Sequence, residues 1–336
     1  MRKTLLSLLA ALAWPLAVQA ESVENHDWQL VCDNTRTCRA AGYQREGDHP
    51  PVSVLFTRRA GARAPLFGEL RLGQAPGGAR PGSVRLVVGG KPGATIALDR
   101  DGHAQLGGAA LEAMLRALAG DAGVAFAAGK AAWRLSGDGA QATLAQMDEA
   151  QGRTGTAGAV LRRGGLSDDN ARLALAPATV RAVRIAGAAR AGDAELAERI
   201  IAMIPHDDGC PLLDDGQERA NPDNAPQLWH LDANRVLVSV ACWRRPPASG
   251  RGYWIANRRP PFAAHAVTLS GSGFDGASTL VESQKLAGGC ASEQAWTWNG
   301  YELEQTLSAT GGLCRGVADG GAWRLPTVVA EVIPAN

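Results

Sequence analysis

Six cysteines constrain this chain more than any other feature: Cys32, Cys38, Cys210, Cys242, Cys290 and Cys314. An even number behind an export signal implies disulfides formed in an oxidising compartment. The signal is read from Arg2 and Lys3, the apolar run from Leu5 to Leu16, and Val18-Gln19-Ala20, whose small residues set cleavage after Ala20. The apolar run is too short to span a bilayer comfortably, and no later stretch reaches the roughly 18 apolar residues that a span needs. A soluble periplasmic chain without a transmembrane segment is therefore expected. Cys32 and Cys38 stand alone in the first half and should pair with each other. Local closure favours Cys210 with Cys242 and Cys290 with Cys314, because residues close in sequence meet more often in the unfolded chain.

At roughly 100–200 residues per domain, 336 residues suggest two domains. The boundaries predicted are a signal peptide over 1–20, an N-terminal domain over 21–163, a linker over 164–190 and a C-terminal domain over 191–336. In the first domain, Trp28–Cys32, Val52–Thr57, Gly68–Leu72, Ser83–Val88 and Thr95–Leu98 read as strands between Gly and Pro turns. The period then changes: Leu111, Met114, Leu115 and Leu118 share one face of a helix. Val124–Ala127 and Ala132–Leu135 return to strand, and a second helix is expected over Gly139–Gln151. Past the linker, read as extended, a short helix over Asp193–Met203 starts with Asp193 as its N-cap. Then come strands at Val236–Trp243, Gly252–Ile255, Ala266–Leu269, Thr279–Ser283, Ala295–Trp298, Glu302–Leu307 and Ala322–Leu325. The fold class expected is α+β: an N-terminal antiparallel sheet with two helices, then a β-rich, disulfide-stapled domain. Trp229-His230-Leu231-Asp232 and Trp296-Thr297-Trp298-Asn299 each read as a strand entering an Asx turn.

The motifs that assemble chemistry in sequence are missing. No two of the six histidines sit two to four residues apart, which removes zinc helices of the HExxH kind. There is no C-x-x-C, no nucleophile elbow, no phosphate loop and no dinucleotide fingerprint. No metal or cofactor is expected. Oxidised cysteines leave no thiol nucleophile. His206-Asp207-Asp208 and Asp214-Asp215-Gly216 read as a polar loop before and after Cys210. A serine triad gathered from distant segments stays open, since triads are defined by geometry.

Net charge is +1, so nothing global draws the chain to nucleic acid. One stretch is locally basic. Trp243, Arg244, Arg245, Arg251, Tyr253, Trp254, Arg258 and Arg259 interleave cations and aromatics with no acid among them. Arg forks bind carboxylate or phosphate and stack on rings. These eight are the candidate ligand-binding residues, and the partner expected is an envelope protein or an anionic glycan or lipid head group. The alternative is a solvated hairpin whose arginines bond neighbouring carbonyls. Asn34 and Arg36, inside the Cys32–Cys38 loop, are a second candidate. The leading functional expectation is a non-enzymatic binding protein; the alternative is a hydrolase with a dispersed site.

Four segments carry a resemblance: WQLVCDNTRTCRAAGY (28–43), MDEAQGRTGTAGAVLRRG (147–164), VACW…GYWIANRRPPF (240–262) and C…GGAWRLPTVV (314–329). Together they resemble the periplasmic family catalogued as domain of unknown function 1176. The W-x-x-x-C-x5-C pattern is also similar to invasion-associated locus B proteins. The first resemblance implies a compartment and an architecture but no activity, and it assigns no catalytic residue.

Overall fold

In the first sheet, alternation places residues on two faces that are both buried. The structure, a computed structural model, describes residues 21–334 except 76, 79, 186–189, 247 and 286–288, with only the backbone of 21, 219 and 220. The expected signal peptide lies outside the described residues. The chain opens with β1 (Glu21–Asn25), β2 (Trp28–Cys32), β3 (Cys38–Tyr43), β4 (Val52–Arg58), β5 (Leu66–Leu72), β6 (Ser83–Val88), β7 (Lys91–Ala97) and β8 (His103–Leu106). Then follow α1 (Gly108–Ala119), β9 (Val124–Ala128), β10 (Ala131–Leu135) and α2 (Ala140–Ala150). One antiparallel sheet runs β1-β2-β3-β4-β5-β8 and a second runs β10-β9-β6-β7.

Trp28, Leu30, Ala40, Val54, Phe56 and Leu70 point inward, against Met114 and Leu118 of α1 and Leu144 and Met147 of α2. Gly42 is required there, since a Cβ would lie 2.4 Å from the Trp28 ring. The intervening residues Val31, Ala41, Tyr43 and Leu55 are equally buried. They pack on Val317, Ala322 and Leu325 from the far end of the chain.

The C-terminal half adds β11 (Ala178–Ala182), α3 (Asp193–Ile201), α4 (Gly216–Ala220), β12 (Gln227–His230), β13 (Arg235–Arg245), β14 (Ala248–Asn257) and β15 (His265–Gly271). It ends with β16 (Gly273–Phe274), β17 (Thr279–Lys285), β18 (Ala291–Trp298), β19 (Leu303–Thr310) and β20 (Leu325–Pro334). The sheet β12-β13-β14-β15 is a middle layer. Val236, Val238 and Val240 face Ile200 and Ile201 of α3, while Leu237, Tyr253 and Ile255 face Leu280, Trp296 and Trp298 of the sheet β11-β20-β19-β18-β17-β16. Disulfides join Cys32 to Cys38, Cys210 to Cys242 and Cys290 to Cys314. The α+β class holds, with strands dominating.

Both Asx turns form. Asp232 Oδ1 accepts from the backbone of Asn234 and Arg235, and Asn299 Oδ1 accepts from Tyr301 and Glu302. Two local expectations are corrected. Gly192 caps α3 at φ 83°, and Asp193 is the first helical residue, its carboxylate taken by Arg190 N–H and by His230. Ala322 and Trp323 precede the last strand, because Trp323 turns away to donate its indole N–H to Ser53 Oγ of β4. Within the stretch expected as a linker, Ala178–Ala182 pairs in parallel with β20.

Candidate functional site

The arginine-rich stretch forms the β13–β14 hairpin, and the hairpin separates its charges. Arg244 and Arg245 lie at the tip, opposite Ser249 and Ala248. Arg258 and Arg259 follow the other end, where Arg235 pairs with Asn257. At roughly 3.3 Å per strand residue the two groups stand about 30 Å apart. Individually they are engaged, except Arg259, which is exposed with no side-chain partner among the described residues. Arg244 donates to Asn224 Oδ1 at 3.1 Å, and Arg245 lies over the Trp243 ring. Arg251 donates to Ser239 Oγ and to the Ala225 carbonyl, and burial pushes its pKa down. Arg258 reaches the Ala233 carbonyl at 3.4 Å. Tyr253 and Trp254 are core residues, 1% and 3% exposed. Trp243 lies across Gly250 and donates to Ser270 Oγ. The sequence cluster is not one surface.

A different site forms where the two halves of the chain meet. A groove of about 1260 Å³ crosses the outer face of the first sheet. Cross-strand register builds its floor: Arg39 lies opposite Thr57, and Thr57 opposite Phe67. Glu69 and Gln105 form the next pair along. Ala174, Leu175 and Pro177 wall it on one side, together with Val329 of β20. In β5, Leu66-Phe67-Gly68-Glu69-Leu70 alternates so that Leu70 enters the core and Phe67 stays 59% exposed. Leu173 and Leu175 are also exposed beside it.

The disulfide loop orders one end. Asp33, 3% exposed, accepts at Oδ1 from the backbone of Thr35 and Thr37 and from Thr35 Oγ1 at 2.5 Å. Its Oδ2 takes Arg39 Nη1 at 2.8 Å. Since the Thr35 hydroxyl proton goes to Asp33, the 3.0 Å contact between Thr35 and Thr37 hydroxyls makes Thr37 the donor. The groove-lining Thr37 oxygen is left with lone pairs only. Asn34 clamps the other half: its Nδ2 donates to Val329 O, its Oδ1 accepts from Val329 N, and its backbone N–H reaches Thr327 O. Arg36, at φ 66°, donates to Leu173 O, and Leu175 N–H donates to Thr35 O. The second sequence candidate, Asn34 and Arg36, thus acts here as a clamp rather than as a free surface.

Behind the groove lies a buried polar lock. Arg58, 1% exposed, bonds Asp148 at 2.6 Å and Gln151 Oε1 at 2.6 Å. Desolvation pushes the Arg58 pKa down and Asp148 counters it. Gln151 Nε2 donates to the carbonyls of Arg36 and Arg58, tying the lock to the disulfide loop. Asp148 also accepts from the N–H groups of Val160 and Leu161. Arg153 bonds the Gly61 carbonyl and sits 3.3 Å from Asp168. Arg172 N–H then bonds Gln151 O. The chain that walls the groove is therefore held from beneath.

Four of the six histidines pair with carboxylates, His26 with Asp138 at 3.8 Å among them. His103 faces Glu69 and Asp99, His206 faces Asp208 and Asp214, and buried His230 faces Asp193 at 2.9 Å. Among the described residues no histidine ring bonds a serine or threonine hydroxyl, and no metal-holding cluster of three or more His, Cys, Asp or Glu occurs. The sequence signal for the groove was an aromatic out of phase: Phe67 falls on the polar side of its strand. Three of the four segments that carry the family resemblance, 28–43, 147–164 and 314–329, supply its floor, its lock or its clamp.

The model of a family described as protein of unknown function, DUF1176, matches residues 23–330. The chain belongs to that family. No curated protein and no solved structure matches it. Membership of DUF1176 brings no assigned activity.

Proposed function

We propose that this DUF1176 protein is exported to the periplasm and acts there as a non-enzymatic binding protein, holding another envelope component in the groove on the outer sheet face of an N-terminal domain (21–163), walled by the linker (164–190) and by Val329 of a C-terminal domain (191–336). The observation that carries this reading is a large, pre-formed groove whose walls come from both halves. Asp33, Arg39 and Glu69 are already paired there, while Arg59, Phe67 and Leu175 are left open. Ligand sites favour such junctions, and large apolar side chains exposed together mark interaction surfaces. The three disulfides fit an exported protein, as does the lack, among the described residues, of any helix long and apolar enough to cross a membrane. The hairpin cluster supports the reading less, because its cations diverge and all but Arg259 bond or stack on the protein itself.

The test is capture from isolated envelope fractions by immobilised protein. Phe67→Asp should abolish capture with the fold intact, since Phe67 is 59% exposed. Capture unchanged in Phe67→Asp would refute the groove as the site.

A further inference from the structure

We infer that the groove takes a carboxylate-bearing peptide in extended conformation; this rests on the groove being the binding site. One cation inside it has no partner. Asp33 is matched by Arg39, and Glu69 faces His103 Nε2 at 3.0 Å. Arg59, exposed just past the end of β4, has no side-chain hydrogen bond or ion pair among the described residues. A guanidinium in that state is a ready fork for a carboxylate.

The hydroxyl chain sets the second requirement. Thr37 Oγ1 has given its proton toward Thr35, so it can only accept. Its complement is a hydrogen-bond donor, such as an amide N–H. The third requirement is apolar: Phe67 and Leu175 are exposed and both line the groove. A carboxylate, an amide N–H and an apolar side chain along one extended run describe a peptide, whose alternate side chains point to opposite sides. An oligosaccharide would offer hydroxyls, not an apolar side chain, to the Phe67–Leu175 rim, and among the described residues Phe67 is the only aromatic ring lining the groove.

The experiment uses two arrays of short peptides, one acidic with free C-terminal carboxylates, the other its isosteric amide copy with Asn for Asp, Gln for Glu and an amidated end. The full mature chain is applied to both. The expected result is binding to acidic members at least tenfold above their amide copies. Arg59→Gln should erase that difference, and Thr37→Val should weaken binding to both arrays. Equal binding to the two arrays, or an acidic preference that survives Arg59→Gln, overturns the inference. If neither array binds while envelope capture still depends on Phe67, the groove stands and the peptide inference falls. If capture does not depend on Phe67 either, both fall.

Discussion

The β13–β14 hairpin and the inter-half groove differ in where their chemistry is gathered. In the hairpin it is gathered in sequence: five arginines lie between positions 244 and 259. Folding then pulls them apart, because an antiparallel hairpin sends its two ends in opposite directions. In the groove the chemistry is scattered in sequence, from Asp33 to Val329, and cross-strand register gathers it. Density along the chain is a poor guide to a site on a sheet; position on one face is a better one. The two regions also differ in commitment. Hairpin arginines other than Arg259 bond neighbouring loops or stack on Trp243, while the groove keeps Arg59, Phe67 and Leu175 open over a buried lock.

That contrast can be broken most strongly at the lock. Asp148→Ala leaves Arg58 buried without its carboxylate, so a loss of about 3–5 kcal/mol is expected in urea denaturation. Arg251→Ala on the hairpin removes hydrogen bonds from a partly exposed cation and should cost less, on the order of 1–2 kcal/mol. An Arg251 effect as large as that of Asp148 would deny the difference between the regions. Next is the clamp. Asn34→Ala strips Val329 of both side-chain hydrogen bonds. A loss of about 1–3 kcal/mol is expected, with faster amide exchange at Val329; unchanged exchange would show that the clamp does not hold the wall. Joint reversal of Arg244 and Arg258 to Glu should then leave envelope capture within about twofold of the parent, since neither lines the groove.

The smallest effect concerns the polar loop beside the Cys210–Cys242 bridge. Hydrogen bonds from His206 to Asp214 and then Asp208 raise the His206 pKa above 6.5. Its ion pairs are therefore complete below that value and are lost as pH rises through the raised one. NMR titration should show the elevated midpoint in the parent and a return toward 6.5 in Asp214→Asn. An unshifted parent would remove the pairing.

Much of the architecture is legible in the residues. Spacing at 111, 114, 115 and 118 gives α1, and nearest-neighbour closure gives the disulfide pairs that form. What escapes is what depends on the other end of the chain. Val31, Ala41 and Leu55 give part of the outer face of the first sheet an apolar patch, and only the partner segment at 317–325 explains it. β11 was hidden because its neighbour, β20, lies about 150 residues away and pairs in parallel, which no local turn announces. Asp148, Gln151 and Arg153 read as ordinary polar positions near the end of a helix; their burial follows from Arg58 and from the chain laid over them. Phe67 was readable from strand phase, but Thr37 as an acceptor was not, since its proton's direction is set by Asp33.

One measurement bears most directly on the claim that the groove, not the hairpin, is the site. A photo-crosslinking residue is placed at Phe67 in one strain and at Ser249, on the hairpin tip, in another, and adducts are identified by mass spectrometry from whole cells. The account predicts a dominant envelope adduct from position 67 and none from 249. An adduct from 249 alone would contradict it and return the site to the arginine-rich hairpin.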